Sequence, residues 1–553
     1  MASLSGGQIV VEVMKKEGVK NAFCVPGESY LGVIDALYEH SEIQLISTRH
    51  EGGASFMAEA YAKASGEVGV CMATRGPGAT NLSIGLHTAM QDSTPLVALI
   101  GQVERPFKGK EAFQEVEFSS YFSHLCKWAI EIDSVERIPE MLHRAFYTAR
   151  SGRPGPVVVS LPHDMLEDTI EYVEGTVVEN IVPEVGEDAI EKILGKLYAA
   201  KQPVIIAGGG VTQTKSANEL IQFADAIKIP VVTSFRRFDA FPNDHVNYAG
   251  SLGFGSDKKL LNYIKHADVI LSIGNRFSQV TTQDYTLIGE HTEIIQVDID
   301  PNSIGKSYPA TIGIVTDAKK FLQKCVQQVK KVKDDNREKI LKECHDAYLT
   351  FSTLPERSNE TNYAEMNAVV SDLMSVVSSD TIITSDAGNF FGWISKYYRF
   401  TEEGTYIGPT SGAMGYGLPA AIGAKIACPD KKVISFSGDG GFMMTLQELE
   451  TAVRCNVPVI AVVINNNMYG TIRMHQEKQF PKRVMATGLT NPNFAELARL
   501  FGCHGEQVKE SEEFLPALER ALKSDKPVVI EVLTNPDVLS AAQAEKNVEI
   551  QYT

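Results

Sequence analysis

The sequence predicts an α/β protein built from three doubly wound, parallel-sheet domains. Short apolar runs alternate with amphipathic stretches in three successive blocks of the 553-residue chain. Such alternation is typical of parallel strands joined by helical crossovers. An acidic stretch at 163–187 and a charged stretch at 330–362 interrupt it, so we place the domains at residues 1–165, 186–330 and 360–540.

The first block alternates most regularly. Its strands are predicted where runs of apolar, often β-branched residues lie between turn residues, and its helices where apolar and polar residues mix with a helical spacing. The predicted strands are 21–25, 43–47, 68–74, 96–101 and 156–161, and the predicted helices are 31–38, 54–64, 82–90 and 139–149.

The second and third blocks repeat this organisation. The last strand of the third block, 527–532, resembles the last strand of the first block, because each is a Pro-Val-Val run that follows a helix. The predicted strands are 203–207, 230–233, 269–273 and 294–297 in the second block, and 381–384, 433–437, 459–464 and 527–532 in the third.

The charge balance argues against two classes of partner. The formal net charge is −17, so the chain has no overall basic field that would attract a nucleic acid or an anionic membrane. No stretch of eighteen consecutive apolar residues occurs, and a membrane span is therefore not expected. We expect neither nucleic acid nor membrane among the partners.

The cysteines indicate a reducing compartment. The eight cysteines are widely spaced and form no C-x-x-C pair. This pattern favours reduced, buried thiols over a disulfide framework or a zinc site. The start of the chain has no cleavable signal pattern, so a cytoplasmic location is expected.

One motif in the third block predicts a metal-bridged phosphate site. Gly438-Asp439-Gly440-Gly441 follows one predicted strand, and Asn466 follows the next. If these strands are neighbours, Asp439 and Asn466 lie at the same edge of a parallel sheet. A carboxylate, an amide oxygen and a nearby carbonyl suit Mg²⁺, which takes its remaining ligands from substrate phosphates. The glycines leave main-chain N–H groups free to approach a diphosphate.

Either half of this motif also has a purely structural explanation. Gly-Asp-Gly is compatible with a simple turn, and asparagines are common after strands. Thr445 and Glu448 have the spacing of a capping box, which predicts that the following helix begins there. The combination within one βαβ unit favours the site.

These residues resemble the signature of thiamine-diphosphate enzymes, and the order of the three blocks is similar to the acetolactate synthase-like branch. The resemblance implies a pyrimidine-binding, a central and a diphosphate-binding domain. It also implies a homodimer or homotetramer whose cofactor site is shared between subunits. Further stretches similar to this branch are 74–81 (TRGPGATN), 112–115 (AFQE), 151–156 (SGRPGP) and 412–419 (GAMGYGLP).

The resemblance makes Glu51 the central catalytic candidate. In the family, the glutamate at this position bonds the aminopyrimidine ring of the cofactor. An acid in an apolar pocket holds its proton more readily, and sharing that proton with the ring activates the thiazolium carbon. From the residues alone, Glu51 also fits an ordinary acid at the start of a helix.

The remaining cofactor contacts are implied position by position. Met414 would support the bent cofactor, the Gly412 carbonyl would accept from the ring amine, and the Met468 carbonyl would complete the metal shell with Asp439 and Asn466. Met414 is equally compatible with core filling. The full set of implied cofactor contacts is Glu51, Asn389, Phe390, Gly412, Met414, Asp439, Gly440, Gly441, Asn466, Met468 and Tyr469.

The residues near the substrate resemble the family less closely. Glu28 and Gln114 are the further catalytic candidates, and the implied substrate pocket consists of Ser29, Phe113, Arg473 and His475. Biosynthetic acetolactate synthases generally place tryptophan near the position of His475. They also carry an arginine after the equivalent of Phe277, where this chain has Ser278. The loss of a charge-assisted bond to a second oxo acid would cost about 1.5–3 kcal/mol.

The resemblance implies decarboxylation of a pyruvate-like 2-oxo acid and transfer of the fragment to a second carbonyl. Small 2-oxo acids or aldehydes are therefore the expected substrates. Glu28 keeps a non-ligating decarboxylase or an aldehyde lyase open as alternatives. Approximate flavin-contact stretches at 252–255 and 274–277 also leave FAD, and a flavin-linked oxidoreductase, open.

Overall fold

Three six-stranded sheets, each entirely parallel, form the framework of the protein. The structure is a computed structural model that describes residues 3–357 and 362–545. The α/β class with three parallel-sheet domains is confirmed. The central strands β5 (Leu96–Gln102), β7 (Pro156–Pro162) and β12 (Val269–Ile273) are buried along their whole length, as expected for parallel sheets that are covered on both faces.

The first sheet has the strand order β3-β2-β4-β5-β7-β6. Strand β1, near the start of the chain, pairs antiparallel with strand β8, which follows the first domain. The elements are β1 (Ser3–Ser5), α1 (Gly6–Lys16), β2 (Asn21–Cys24), α2 (Leu31–Tyr38), β3 (Gln44–Ser47), α3 (Glu51–Ser65), β4 (Gly69–Thr74), α4 (Arg75–Asp92), β5 (Leu96–Gln102), α5 (Phe118–Tyr121), β6 (Trp128–Glu131), α6 (Ile138–Arg150), β7 (Pro156–Pro162) and β8 (Thr169–Glu171).

The second sheet has the strand order β11-β10-β9-β12-β13-β14. Its elements are α7 (Glu187–Ala199), β9 (Pro203–Ala207), α8 (Gly209–Gln213), α9 (Ala217–Ile227), β10 (Val231–Thr233), β11 (Tyr248–Ser251), α10 (Lys258–Lys265), β12 (Val269–Ile273), β13 (Glu293–Asp298), β14 (Ile312–Val315) and α11 (Ala318–Gln328). The charged stretch after it forms helix α12 (Asp335–Phe351), and residues 358–361 of that stretch lie outside the described residues.

The third sheet has the strand order β16-β15-β17-β18-β20-β19. Its elements are α13 (Met366–Val376), β15 (Ile382–Ser385), α14 (Phe391–Tyr397), β16 (Tyr406–Ile407), α15 (Gly417–Ala427), β17 (Val433–Gly438), α16 (Asp439–Thr445), α17 (Glu448–Arg454), β18 (Ile460–Asn465), α18 (Gly470–Gln479), α19 (Phe494–Leu500), β19 (His504–Val508), α20 (Phe514–Lys523) and β20 (Val528–Leu533).

The sequence predictions located the central strands well and missed most sheet edges. Every predicted strand is present, with ends shifted by at most one residue. Strands β6, β11, β14, β16 and β19 were not predicted, and all five lie at sheet edges. Strand β14, for example, alternates between half-buried and exposed residues. An edge strand of this kind lacks the continuous apolar run that marks a fully buried strand.

Two helices begin earlier than predicted. Helix α3 starts at Glu51 and α4 at Arg75, whereas the predictions began at residues 54 and 82. The glycines after Glu51 and the Gly76-Pro77-Gly78 stretch resemble loops in the sequence. Proline is nevertheless compatible with the first turn of a helix, where its missing N–H has no partner to lose.

The first and third domains share one apolar core. Helices α3 and α15 cross so closely that a Cβ on Gly423 would lie 2.2 Å from the main-chain oxygen of Met57. A continuous cluster of buried side chains runs through this contact from both domains. The interface therefore fixes the first domain against the third. No helix in the described part of the chain is long and apolar enough to cross a membrane.

Candidate active site

One cavity opens at the carboxyl ends of the third sheet's strands. Its volume is about 460 Å³, within the usual range for a small-molecule site. It brings together the residues of the third domain that the sequence singled out for cofactor contact. These are Asn389, Phe390, Gly412, Met414, Asp439, Gly440, Gly441, Asn466, Met468 and Tyr469.

The two strands of the motif are neighbours, which was the condition for the predicted site. Strands β17 and β18 pair in parallel, with Gly438 opposite Ile464. Asp439 and Asn466 therefore follow adjacent strand ends, and both side chains line the cavity. The predicted helix start at Thr445 is wrong, since α16 begins at Asp439 and α17 at Glu448. The Thr445 hydroxyl donates to the Gly415 carbonyl, 2.8 Å away, and not to a helix start.

The Asp439 carboxylate is held in place by three donors. Its Oδ1 accepts from the Gly440 N–H at 2.9 Å, and its Oδ2 accepts from the Met468 N–H at 3.2 Å and from Asn491 Nδ2 at 2.8 Å. Burial raises the pKa of Asp439, while these hydrogen bonds oppose the rise. A carboxylate fixed in this way is preorganised to bind a cation.

Asn491 is a functional candidate that sequence reasoning missed. Its amide also donates to Asn465 Oδ1 at 3.0 Å and to Asn467 Oδ1 at 3.3 Å, so it ties the end of β18 to Asp439. It lies 52 residues after Asp439, and no local pattern links the two. Only the folded chain shows this contact.

Two glycines of the motif are required by close approach. A Cβ on Gly440 would lie 2.4 Å from Tyr469 Cε1, and one on Gly441 would lie 2.5 Å from Asp386 Oδ2. Asp386 is fully buried, accepts from the Gly417 N–H at 2.7 Å, and has its pKa raised to about 6 by burial. The cavity wall here is bare main chain, which suits contact with phosphate oxygens.

The donor set fits a diphosphate bridged by Mg²⁺. Asp439 supplies a carboxylate, Asn466 an amide oxygen and Met468 a main-chain carbonyl at one end of the cavity. These are hard oxygen donors with room left for phosphate oxygens. Among the described residues, no group of three or more His, Cys, Asp or Glu side chains could hold a metal ion. A site with a single carboxylate is consistent with that finding.

Three further residues that line the cavity, Thr471, Trp393 and Leu539, were not indicated by the sequence. Asn389 is locked by Thr471, whose hydroxyl accepts from the Asn389 N–H and donates to its side-chain oxygen, both at 3.1 Å. Trp393 and Leu539 add apolar surface. The segment that carries Leu539 is held by Glu545, which accepts from the Tyr397 hydroxyl at 2.7 Å and from Lys396.

The predicted residues of the first domain gather elsewhere, around the start of α4. Glu51 is half-buried and accepts from Asn81 Nδ2 at 2.9 Å. Ser29 is buried, and its hydroxyl lies 2.7 Å from that of Thr74. Gln114 has a left-handed backbone (φ 66°), and its carbonyl accepts from the Gly76 N–H at 2.9 Å.

This group does not line the cavity of its own chain. Phe113, 75% exposed, belongs to the same region, and Glu28 is exposed as well. Arg473 pairs with Glu477 at 2.6 Å on α18, and His475 on that helix is exposed; neither lines the cavity. The structure therefore places the predicted residues in two groups, one on the first domain and one on the third.

A second cavity, of about 480 Å³, lies against the central domain. Gly209, Gly210 and Gly274 line it, and a Cβ on Gly210 would lie 2.7 Å from Gly274 Cα. Arg237 and Arg276 also line it; Arg237 pairs with Asp92 at 2.8 Å, and burial lowers the pKa of Arg276 to about 10. Bare main chain beside two cations suits an anionic ligand.

Comparison with known proteins gives the same three-part organisation. Residues 4–121 match the family described as thiamine pyrophosphate enzyme, N-terminal TPP binding domain. Residues 190–325 match its central domain, and residues 386–532 match its C-terminal TPP binding domain.

Full-length relatives agree. The chain is 34% identical to the probable acetolactate synthase large subunit of Methanocaldococcus jannaschii, over 96% of this chain and 92% of that protein. It is 34% identical to the acetolactate synthase isozyme 2 large subunit of Escherichia coli (strain K12), over 96% and 95%. It is 32% identical to the acetolactate synthase large subunit of Corynebacterium glutamicum, over 99% and 90%. With these similarities and the geometry of its cavity, the chain belongs to the thiamine pyrophosphate enzyme family, in the acetolactate synthase-like branch.

Proposed function

We propose that the protein is a Mg²⁺- and thiamine-diphosphate-dependent enzyme that decarboxylates a pyruvate-like 2-oxo acid and joins the fragment to a second carbonyl compound. The observation that carries the proposal is the cavity in which Asp439, Asn466 and bare glycine main chain meet. The names of the relatives, all acetolactate synthase large subunits, support the same reaction class.

In this proposal each group of residues has its own task. Asp439, Asn466 and the Met468 carbonyl hold Mg²⁺, and the N–H groups of the glycine stretch face the diphosphate. When bound, the cofactor supplies an electron sink for the departure of carbon dioxide. Glu51 would hold a proton at the ring nitrogen of the cofactor, and Met414 would pack against the cofactor.

The site is proposed to be completed by a second copy of the chain. Glu51 lies outside the cavity that holds Asp439, so one chain presents two incomplete halves. Exposed apolar side chains accompany both halves. They include Phe113 and Tyr121 on the first domain and Met443, Met444 and Ile472 on the third. A symmetric dimer, alone or within a tetramer, would bury these surfaces and bring the halves together twice.

Mixing two inactive variants tests this shared site. In a mixed dimer of Glu51→Gln and Asp439→Ala chains, one site receives both wild-type residues and the other receives neither. Random exchange of subunits should therefore restore about one quarter of the wild-type activity, since half of the dimers are mixed and each has one intact site. The control is each variant incubated alone under the same exchange conditions. If the mixture stays inactive although mass measurement shows mixed dimers, the shared site is wrong.

The reaction itself is tested with pyruvate. Purified protein loaded with thiamine diphosphate and Mg²⁺ should release carbon dioxide and form acetolactate. Acetaldehyde in place of acetolactate would identify a non-ligating decarboxylase. Product from no 2-oxo acid or aldehyde would contradict the proposal.

The alternative of a non-ligating decarboxylase or an aldehyde lyase rests on the residues that would bind the acceptor substrate. Ser278 occupies the region where biosynthetic relatives carry an arginine for the second oxo acid, and His475 replaces their tryptophan. A 2-oxo acid acceptor would therefore be bound less tightly here than in enzymes that carry this arginine. Neither an aldehyde acceptor nor an aldehyde lyase reaction needs this arginine. Competition between pyruvate and aldehydes as acceptors would separate these options.

A flavin-linked oxidoreductase is the second candidate function, favoured by the cavity of the central domain. Its glycines and arginines suit the diphosphate of FAD. The absorbance spectrum of the purified protein, and of the supernatant after denaturation, shows whether flavin is bound. A cytoplasmic location is also proposed, supported by the eight free thiols.

A further inference from the structure

A buried carboxylate of the third domain reaches across to the loop that presents Glu51. Glu448 is fully buried, at the first position of α17. Its two oxygens accept from the Arg49 main-chain N–H at 3.1 and 3.2 Å. One of them also accepts from the Thr451 hydroxyl at 2.6 Å. All of these partners are donors, so the site is built for the oxygens of a carboxylate.

Glu448 and the first turn of α3 are tightly packed against each other. A Cβ on Gly53 would lie 2.5 Å from Glu448 Oε1, so the first turn of α3 packs directly on this carboxylate. Arg454, at the other end of α17, donates to the Ser47 carbonyl at the end of β3. Helix α17 therefore holds the loop between β3 and α3 at both ends.

The third domain holds the loop between β3 and α3 through main-chain atoms of that loop. The side chains of Arg49 and His50 are exposed, and His50 uses its ring nitrogen to cap the helix start by accepting from the Gly52 N–H at 2.9 Å. Glu51 follows at once. The direction of the Glu51 side chain thus depends on main-chain atoms that Glu448 fixes.

We propose that Glu448 is a positioning residue that sets the geometry of Glu51. The inference rests on the proposed function, because it assigns to Glu51 the task of activating the cofactor. Glu448 does not line the cavity and acts only through the loop. Displacing a reacting group by about 1 Å can cost on the order of a hundredfold in rate.

The test combines a measurement on the cofactor-free chain with one on the loaded protein. Hydrogen exchange of the full chain without cofactor reports the loop, and Glu448→Ala should speed exchange of the Arg49 amide at least about tenfold, since its acceptor is lost. The rate at which the C2 proton of bound thiamine diphosphate exchanges with D₂O reports activation by Glu51. In Glu448→Ala this rate should fall about 10- to 100-fold at saturating cofactor.

Two further variants separate positioning from general stability. Glu448→Gln keeps an oxygen for the Arg49 N–H and should recover part of the C2 exchange rate. It also takes the place of Glu448→Ala in both measurements if the alanine variant does not fold. Glu519→Gln, the same charge change on the exposed face of α20, is the control and should leave both rates unchanged.

A wild-type rate of C2 exchange in both Glu448 variants would overturn the inference. An unchanged rate of hydrogen exchange at the Arg49 amide would overturn it as well. Normal C2 exchange in the wild-type protein without product from any substrate would instead contradict the proposed reaction and leave the role of Glu448 standing.

Discussion

Replacement of Glu51 by glutamine is expected to abolish nearly all turnover while the cofactor still binds. Glutamine has the size of glutamate and can accept from Asn81, but its amide has no ionisable proton to transfer to the cofactor ring. General acid–base catalysis of this kind contributes about 100- to 10,000-fold in rate, and we expect a loss of kcat in that range. Cofactor affinity should change little, because the proposed diphosphate contacts lie in the third domain.

Two measurements check this prediction. Calorimetric titration with thiamine diphosphate and Mg²⁺ gives the affinity, and carbon dioxide release from pyruvate gives kcat. Glu39→Gln, the same change at an exposed site of the first domain, is the matched control. A Glu51→Gln protein with wild-type kcat would remove Glu51 from the reaction. A protein that lost both cofactor and activity would give Glu51 an anchoring role.

Replacement of Asp439 by alanine should have the opposite signature, since the cofactor itself is then lost. The change removes the carboxylate of the proposed metal site. It also removes the side-chain acceptor of the Gly440 and Met468 N–H groups, and it leaves the Asn491 amide with only Asn465 and Asn467 as acceptors. We expect the affinity for thiamine diphosphate at fixed Mg²⁺ to fall at least about 100-fold, which corresponds to roughly 2.8 kcal/mol.

The affinity is measured by the same titration, with thermal unfolding to show that the variant is folded. Asp430→Ala, at an exposed position of the same domain, is the control and should bind normally. A further variant, Asp439→Asn, keeps the shape of the side chain but lacks its charge, and should fall between the two. Unchanged affinity in the alanine variant would contradict the metal site.

A comparison of central strands with edge strands shows which strands can be predicted from a sequence. The central strand β12 is buried along its whole length, and its apolar run was found with correct ends. Strand β14 has only every second residue half-buried, and β16 has only two residues. Their places are decided by pairing with a neighbouring strand, and pairing partners lie far away along the chain.

The candidate site divides in the same way. Asp439 and Asn466 were found from the sequence because they belong to one βαβ unit, in which the spacing along the chain determines the spacing in space. Asn491 and Glu448 were missed because each acts on a residue from a distant part of the chain. A lone asparagine or glutamate carries no pattern that would reveal such a contact.

The sequence by itself determined the central strands, the α/β class with parallel sheets and the glycine turn proposed to face phosphate, because these follow from the pattern of neighbouring residues. The tertiary structure alone decided that Glu51 and Asp439 lie on separate surfaces of one chain, and that a buried carboxylate ties the Glu51 loop to the third domain. Such relations arise when domains pack, and packing depends on the shapes of whole surfaces and not on local order along the chain.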